Sequence, residues 1–374
     1  MRVAIFTPYD LSHEGGVNRH AASLARALGA LGHEVRVAGP ASGQVPPGCV
    51  GFRGVVPLPA NGSIARVGLL VPPGEVRGFL QGGAFDLVHV HEPIVPGPGR
   101  HALRLSRVPV VATFHANAER EVPLQRMFRW FASAGLGRID RAIAVSNQAK
   151  RFSRTIFRGR TTVIPNGVDL SRFRPRARLA PVPAAGRALR VLFVGRFGEP
   201  RKGFEVLVEA IERLHASRRA VELVVVGDGP RERWDRRVSG LPVRFEGRLP
   251  DEALADRLAE ADLLCAPSLG GESFGMVLVE AMASGCPVVA SDIPGYAEAA
   301  RGAAVLAPAG DAAALAEALW RTGSDHALRA RLAERGRARA EALSWSRIAA
   351  HVLRIYVQAG APAELAPAVA ARAG

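Results

Sequence analysis

The sequence has few cysteines and few long apolar runs, and each shortage excludes a class of protein. Cys49, Cys265 and Cys286 are the three cysteines among 374 residues, and no two of them form a CxxC pair. This odd number predicts reduced thiols in a cytoplasmic protein rather than a disulfide framework. No apolar run approaches the roughly 18–20 residues that a membrane span needs. The N-terminus enters a predicted strand without the apolar core and cleavage site of a signal peptide.

Lysine is also scarce, although the chain is strongly basic. Lys150 and Lys202 are the only lysines among 49 basic residues, which exceed the 34 acidic ones by 15 charges. Much of the arginine excess is typical of a GC-rich genome, but the sign still favours nucleic acid, anionic lipid or nucleotide partners. No helix-turn-helix, zinc-finger or RNP-like pattern is present, which argues against nucleic acid.

The chain shows no DxD motif, no HExxH motif and no Cys/His cluster along the sequence. We therefore expect no metal site and no bound cofactor.

Apolar strands and amphipathic helices alternate twice along the chain, with a Pro- and Arg-rich stretch between the two series. Two such series predict an α/β fold of two Rossmann-like, doubly wound parallel sheets. The predicted parts are a first domain, a linker, a second domain and a C-terminal helix that packs back on the first domain, at residues 1–170, 171–188, 189–343 and 344–374. The cleft between the domains is the predicted active site.

Residues 40–83 are rich in Pro and Gly and are predicted to form a long functional loop. Within them, residues 72–80 carry one basic residue and two glycines, so no clear helix is predicted there. Near the N-terminus, Gly16 begins a helix after a buried strand, where a phosphate could approach the backbone. A plain tight turn is the alternative explanation for that glycine.

The most informative stretch runs from Leu269 to Gly285. An apolar strand precedes it, glycines make a turn, and good helix formers follow until Gly285. Glu272 lies in the turn and Glu280 lies in the helix. The backbone amides at such a helix start favour anions such as phosphates. The carboxylates of Glu272 and Glu280 would instead bind hydroxyl groups, and a sugar nucleotide offers both. A capping residue and a surface residue would give the same spacing.

Arg196 and Lys202 lie six residues apart on a loop that follows the first strand of the second domain. Open α/β sheets bind ligands at the carboxyl ends of their strands. The two cations suit the phosphates of a departing nucleoside diphosphate, which gain negative charge. A solvated surface pair is the alternative.

Residues 119–160 form a basic block with ten Lys/Arg against three Asp/Glu. Phe128, Trp130 and Phe131 lie in it beside Arg126 and Arg129. Basic helices with aromatic residues can lie on anionic membranes. An ordinary helix that docks through its apolar face is the alternative.

The stretch with Glu272 and Glu280 resembles the signature of retaining GT-B glycosyltransferases, in which seven residues separate two glutamates. Further strings resemble the phosphatidyl-myo-inositol mannosyltransferases of actinobacteria, and the likeness covers nearly the whole chain. These strings are Gly15-Gly16, Asn61-Gly62-Ser63-Ile64-Ala65-Arg66, His91-Glu92-Pro93, Ala112-Thr113-Phe114-His115, Ile164-Pro165-Asn166-Gly167-Val168-Asp169, Gly195-Arg196 and Glu199-Pro200-Arg201-Lys202-Gly203.

The resemblance implies a retaining, metal-independent transfer of a hexose, with GDP-mannose as donor and an inositol phospholipid as acceptor. The implied catalytic residues are His115, Glu272, Arg196 and Lys202. The implied donor-binding residues are Gly16, Arg196, Lys202, Glu272, Ser273, Phe274, Gly275 and Glu280. The implied acceptor-binding residues are Tyr9, Asn18, Asn61, Ser63 and Arg66.

Three alternatives remain open: a UDP-sugar donor, a soluble acceptor, and a non-catalytic sugar-nucleotide-binding protein. The presence of all the implied catalytic residues argues against the last. The lipid enzymes of the resembled family carry a lysine-rich amphipathic helix where this chain has residues 72–80. We therefore expect peripheral contact with the inner face of the membrane through residues 119–160 instead.

Overall fold

A computed structural model of the chain describes residues 1–13, 15–60, 63–116, 135–176 and 187–362, with the backbone alone for residues 59, 60 and 63. The chain divides into two compact units. Unit 1 contains residues 1–167 and the C-terminal segment that begins at Trp345, and unit 2 contains residues 168–344. Over the described ranges, no helix combines the length and the apolar content needed to cross a bilayer.

Unit 1 is built on a seven-stranded parallel sheet and a separate antiparallel hairpin. Its strands are β1 (Arg2–Phe6), β2 (Glu34–Pro40), β3 (Cys49–Phe52), β4 (Val56–Ala60), β5 (Ser63–Val67), β6 (Leu87–His91), β7 (Val110–Phe114), β8 (Arg141–Ala144) and β9 (Thr161–Val163). The sheet order is β3-β2-β1-β6-β7-β8-β9, and β4 pairs with β5 in the hairpin. Its described helices are Gly16–Ala30, Pro73–Gly83, Pro98–Leu105, Asn147–Arg154 and Trp345–Gln358, with a 3₁₀ turn at Leu136–Arg138.

Unit 2 is built on a six-stranded parallel sheet. Its strands are β10 (Leu189–Val194), β11 (Val221–Val226), β12 (Val243–Gly247), β13 (Leu263–Ala266), β14 (Val288–Ser291) and β15 (Val305–Ala307). The order is β12-β11-β10-β13-β14-β15. Its described helices are Phe204–Ala216, Arg231–Arg237, Asp251–Glu260, Met276–Ala283, Pro294–Ala300, Ala312–Ser324 and His326–Ala342, with a 3₁₀ turn at Pro200–Lys202.

The central strands are nearly continuous runs of apolar residues because helices pack against the sheets that contain them. In unit 1, Phe6 of β1 is fully buried and its ring packs on Phe52 and Phe79. The helix Gly16–Ala30 places Ala21, Leu24 and Leu28 at helical spacing on its buried face. In unit 2, a core cluster joins β10, β11 and the helix Phe204–Ala216.

Both sheets contain a point at which the strand order reverses. In unit 1, β1 lies between β2 and β6, and in unit 2, β10 lies between β11 and β13. Ligands of open α/β sheets bind outside the carboxyl ends of the strands at such points. The two edges therefore locate the candidate sites, and the predicted α/β class with two doubly wound sheets is confirmed.

The prediction of a long loop at residues 40–83 is wrong. The structure places β3, the hairpin and the helix Pro73–Gly83 in this region. The glycines of this segment give it a low local helix propensity. However, Pro73 lies in the first turn, where proline is tolerated, and the negative charge of Glu75 stabilises the N-terminal end of the helix. Val76 is fully buried, and Phe79 packs on Phe6, so tertiary contacts outweigh the weak local propensity.

The N-terminal end of the predicted linker folds with unit 2. Arg172 forms ion pairs with Asp251 at 2.7 Å and with Glu252 at 3.1 Å. Residues 177–186 of that linker lie outside the described residues.

Candidate active site

Two interlocked loops form the carboxyl edge of the sheet in unit 2. Residues 195–203 follow β10, and residues 267–275 follow β13. The Leu269 amide donates a 2.8 Å hydrogen bond to the Arg201 carbonyl. Gly203 has a φ of +66°, and a Cβ there would lie 1.9 Å from the Pro267 carbonyl oxygen, so only glycine allows this approach. The close contact fixes the positions of the side chains that both loops carry.

Glu272 accepts two charge-assisted hydrogen bonds from the neighbouring loop. Its Oε1 lies 2.7 Å from Lys202 Nζ and 2.8 Å from Arg201 Nη1. Burial alone would raise the pKa of Glu272, but the adjacent charges of Lys202 and Arg201 outweigh it and lower the pKa below the ordinary value. Glu272 is therefore a carboxylate at neutral pH.

A second carboxylate extends this arrangement. Glu199 has a buried side chain, and its oxygens lie 2.8 Å from an Arg196 nitrogen and 2.9 Å from an Arg201 nitrogen. Charges of alternating sign thus run through Arg196, Glu199, Arg201, Glu272 and Lys202, which we call the ion chain. Three cations against two carboxylates leave the ion chain with one excess positive charge. Half of the Arg196 side chain is exposed, so a ligand can reach this end.

The helix that follows Glu272 begins close to the ion chain. Gly275 precedes Met276–Ala283 with a φ of +93°, and as the N-cap residue it offers no side chain to the first amides. Ser273 lies in the turn, whereas Phe274 is 1% exposed, so its side chain packs in the core and only its backbone can face a ligand. Glu280 is buried in the helix. These placements leave the predicted donor-binding roles as predictions.

Two buried hydroxyls lie next to the ion chain and were missed by the sequence analysis. Ser268 Oγ and Tyr296 OH are 2.8 Å apart, and Ser268 Oγ lies 3.4 Å from Glu272 Oε1. Burial raises the pKa of Tyr296, and the nearby Glu272 charge raises it further, so the phenol stays protonated. No spacing in the sequence linked Tyr296 to this site.

In unit 1, the loop after β1 and the helix Gly16–Ala30 that follows it carry several of the predicted residues. Gly16 is exposed at the start of its helix, and a Cβ there would meet no atom within 4 Å. The Asn18 amide donates to the carbonyls of Asp10 at 2.8 Å and His13 at 3.2 Å, and its Oδ1 accepts from Thr7. The loop thus already uses both donors of Asn18.

In the hairpin, β5 places the predicted acceptor residue Arg66 next to that loop. Tyr9 forms an isolated bridge with Val67 of β5, and the Asp10 amide donates to the Arg66 carbonyl at 2.9 Å. The Arg66 side chain is exposed. Asn61 and the side chain of Ser63 lie outside the described residues.

His115 directly follows β7 and contacts His91, the last residue of β6, and Glu92, which follows that strand. Its backbone amide donates a 2.7 Å hydrogen bond to Glu92 Oε1, and its Nε2 lies 2.8 Å from His91 Nδ1. Glu92 has a φ of +47°, and burial raises its pKa to about 7. Burial lowers the pKa of His115 well below its ordinary value, and the neighbouring histidines lower it further. His115 is therefore neutral at pH 7.

Sequence comparisons agree with this geometry. A model for glycosyl transferases group 1 matches residues 188–325, and one for Glycosyltransferase Family 4 matches residues 14–172. The phosphatidyl-myo-inositol mannosyltransferase of Mycobacterium leprae (strain TN) is 39% identical, over 95% of this chain and 96% of its own length. The chain belongs to glycosyltransferase family 4. It is therefore a glycosyltransferase, as the sequence predicted.

Two further proteins support the family and the fold. The phosphatidyl-myo-inositol mannosyltransferase of Propionibacterium freudenreichii subsp. shermanii is 37% identical, over 96% of each chain. The sucrose-phosphate synthase of Thermosynechococcus elongatus superposes with a TM-score of 0.73 at 25% identity, and covers 96% of this glycosyltransferase and 98% of its own chain. The GT-B fold is thus confirmed.

Proposed function

We propose that this glycosyltransferase moves mannose from GDP-mannose onto an inositol phospholipid, with retention at the anomeric carbon and without a metal ion at the diphosphate. The observation that supports the transfer chemistry is the ion chain at the strand-order reversal of unit 2. The mannosyl donor and the lipid acceptor are supported by the names of the relatives, which cover nearly the whole chain.

In this proposal, Arg196 and Lys202 bind the donor diphosphate. When the bond between the sugar and the diphosphate breaks, negative charge accumulates on the leaving group. Cations already fixed in position stabilise that charge without costly reorganisation. Lys202 is held by Glu272, and Arg196 by Glu199, so both are oriented before the donor arrives. The Glu272 carboxylate then binds hydroxyl groups of the transferred sugar, and Glu280 those of the ribose.

The proposed acceptor contacts belong to unit 1. The exposed Arg66 guanidinium can bind a phosphate through two parallel hydrogen bonds. Its backbone is fixed against the loop that carries Tyr9 and Asp10, so the side chain starts from a rigid position. His115 contributes to the reaction as a neutral imidazole, which can accept a hydrogen bond from the sugar or donate one to it.

The proposed lipid acceptor requires contact with a membrane surface. The part of the basic block that the structure describes holds seven Lys/Arg and one Asp, including the helix Asn147–Arg154. Each basic residue near an anionic surface adds about 1 kcal/mol, and salt screens it. The aromatic residues of the block and Arg126 and Arg129 lie outside the described residues, so their share of the docking surface rests on sequence alone.

An activity screen tests the proposal. GDP-mannose and UDP-glucose are each offered with phosphatidylinositol vesicles, with soluble inositol phosphate, and with no acceptor. We expect transfer only from GDP-mannose to phosphatidylinositol. Transfer to soluble inositol phosphate alone would contradict the lipid acceptor, and transfer from UDP-glucose alone would contradict the donor. Donor binding without transfer to any acceptor would indicate a sugar-nucleotide-binding protein instead.

A further inference from the structure

Three histidines from distant parts of the sequence meet in unit 1. His20 lies on the helix Gly16–Ala30, His91 ends β6, and His115 follows β7. One ring nitrogen from each lies within 4.8 Å of the other two. The ring centroids of His20 lie 4.7 Å from those of His115 and 5.2 Å from those of His91. We call this group the histidine cluster.

The histidine cluster is incompletely hydrogen-bonded. His91 Nδ1 is paired with His115 Nε2, but His91 Nε2 is buried and has no hydrogen-bond partner among the described residues. His91 is 0% exposed. A buried polar atom without a partner costs roughly 1–3 kcal/mol. An ion in the cluster would replace the hydrogen bond at His91 Nδ1 and leave the proton of that ring on Nε2.

The chemistry of the cluster fits a metal ion that prefers imidazole. Burial lowers the pKa of His20 to about 4, and it lowers the pKa of His91 and His115 well below the ordinary value. All three rings are thus neutral at pH 7 and keep a lone pair for coordination. Neutral imidazoles suit Zn²⁺ and Co²⁺, whereas Mg²⁺ and Ca²⁺ prefer oxygen ligands.

A polar neighbour already orients one of the rings. His20 Nδ1 lies 2.8 Å from Asn166 Oδ1, which accepts the proton of that nitrogen. The lone pair of His20 is then on Nε2. Metal-binding histidines usually have their second nitrogen fixed by such a partner, and loss of the partner typically weakens metal binding 10–100-fold.

We propose that His20, His91 and His115 bind one divalent ion of the zinc type, with a fourth coordination position left open. Tetrahedral zinc with Zn–N distances of about 2.1 Å places its ligand nitrogens about 3.4 Å apart. The 2.8 Å pair of His91 and His115 must therefore open by about 0.6 Å, while wider pairs close. His115 is partly exposed, which gives the ion a path into the cluster. The metal proposal does not depend on which donor or acceptor is used, but it shares His115 with the proposed transfer reaction.

A cobalt titration tests the site. The full chain is stripped with EDTA, desalted and titrated with Co²⁺ alone, and the visible absorption that tetrahedral cobalt produces is followed. We expect one equivalent to bind, and Zn²⁺ to displace it. His115→Ala and Asn166→Ala should each weaken Co²⁺ binding at least about 10-fold, whereas Asn166→Asp should retain it. The matched control is His326→Ala, an exposed histidine of unit 2.

Several results would overturn the proposal. One is the absence of stoichiometric Co²⁺ binding at 100 µM metal, and another is an equal loss in His326→Ala. Unchanged binding in both His115→Ala and Asn166→Ala would also contradict it. His20→Ala is a third variant that should also weaken Co²⁺ binding. Because the His20 ring is buried, circular dichroism must show that this variant still folds. If it unfolds, His115→Ala and Asn166→Ala decide the result.

Discussion

In both units, polar residues lie at the carboxyl edge of a parallel sheet. The buried groups at that edge are neutral in unit 1 and charged in unit 2. In unit 1, buried histidine rings are neutral because burial disfavours their protonated form. In unit 2, Glu272 is ionised because Lys202 and Arg201 outweigh its burial. A parallel sheet thus supplies the position of a site, and local burial and pairing decide its electrostatics. A charged site suits a diphosphate, and a neutral one suits hydroxyl groups or a metal ion.

The largest expected effect that separates the units is acid destabilisation of unit 1. Burial lowers the pKa of His20 to about 4 and of His89 to about 3, from 6.5. Between these values and pH 6.5, the unfolded chain binds more protons than the folded one, so stability falls as pH falls. Between pH 7 and pH 5, these two histidines together lower the free energy of unfolding by on the order of 4 kcal/mol.

Glu92 acts in the other direction and supplies a check. Burial raises its pKa from 4.5 to about 7, so the folded state gains stability as pH falls through that range. Glu92→Gln should remove this offset and make the acid loss steeper. Hydrogen exchange is measured at pH 7 and pH 5 in EDTA and corrected for intrinsic rates. Between these two pH values, the amides of β6 and β7 should lose more protection than those of β10 and β13. Equal losses in both units would contradict the contrast.

The next largest effect concerns Glu272. Glu272→Ala should cut turnover by at least ~10²-fold, because hydroxyl contacts orient the sugar in the transition state. Initial rates at saturating donor measure it. The matched control is Glu334→Ala, an exposed glutamate of the same unit, which should behave as wild type. A loss below threefold would remove Glu272 from the reaction.

A smaller effect is expected for the lysine of the ion chain. Lys202→Ala should weaken GDP binding by about 2 kcal/mol, or roughly 30-fold, since a cation beside the diphosphate is lost while Arg196 and Arg201 remain. Calorimetry measures the affinity. Lys150→Ala removes the only other lysine and should leave GDP binding unchanged. Equal affinities in the two variants would exclude Lys202 from the phosphate site.

The smallest effect tests whether unit 1 also approaches the donor. Gly16→Ala adds a methyl group where no protein atom lies within 4 Å, so stability should not fall. If a phosphate approaches this helix start, GDP affinity should drop about fivefold, or ~1 kcal/mol. Gly29→Ala, in the same helix and equally open, is the control. Unchanged GDP affinity in Gly16→Ala would remove the donor role of that glycine.

The sequence predicted the fold from features that act over short distances. The alternation of strands and helices could be predicted because apolar periodicity is a local property, as in the helix Phe204–Ala216 and the strand Val288–Ser291. The helix Pro73–Gly83 was missed, since its stability depends on burial of Val76 and Phe79 rather than on its own residues. In such segments, tertiary contacts rather than local propensity determine whether a helix forms.

The sites divide in the same way. Arg196, Lys202 and Glu272 were named from motifs, and the structure brings Lys202 and Glu272 into contact. Glu199 and Arg201, which link them, were quoted only as part of a string. The histidine cluster was missed, because its members are separated along the chain and only the strand order brings them together. Topology, not spacing, carries that information.

The most direct test of the central claim is the anomeric configuration of the product. The glycosyltransferase is incubated with GDP-mannose carrying ¹³C at the anomeric carbon and with phosphatidylinositol vesicles, in EDTA, and the product is analysed by NMR. We predict that the product keeps the α configuration of the donor and that Mg²⁺ added after EDTA does not raise the rate. A β-linked product, or a loss of activity in EDTA that Mg²⁺ restores, would contradict retaining transfer supported by the ion chain alone.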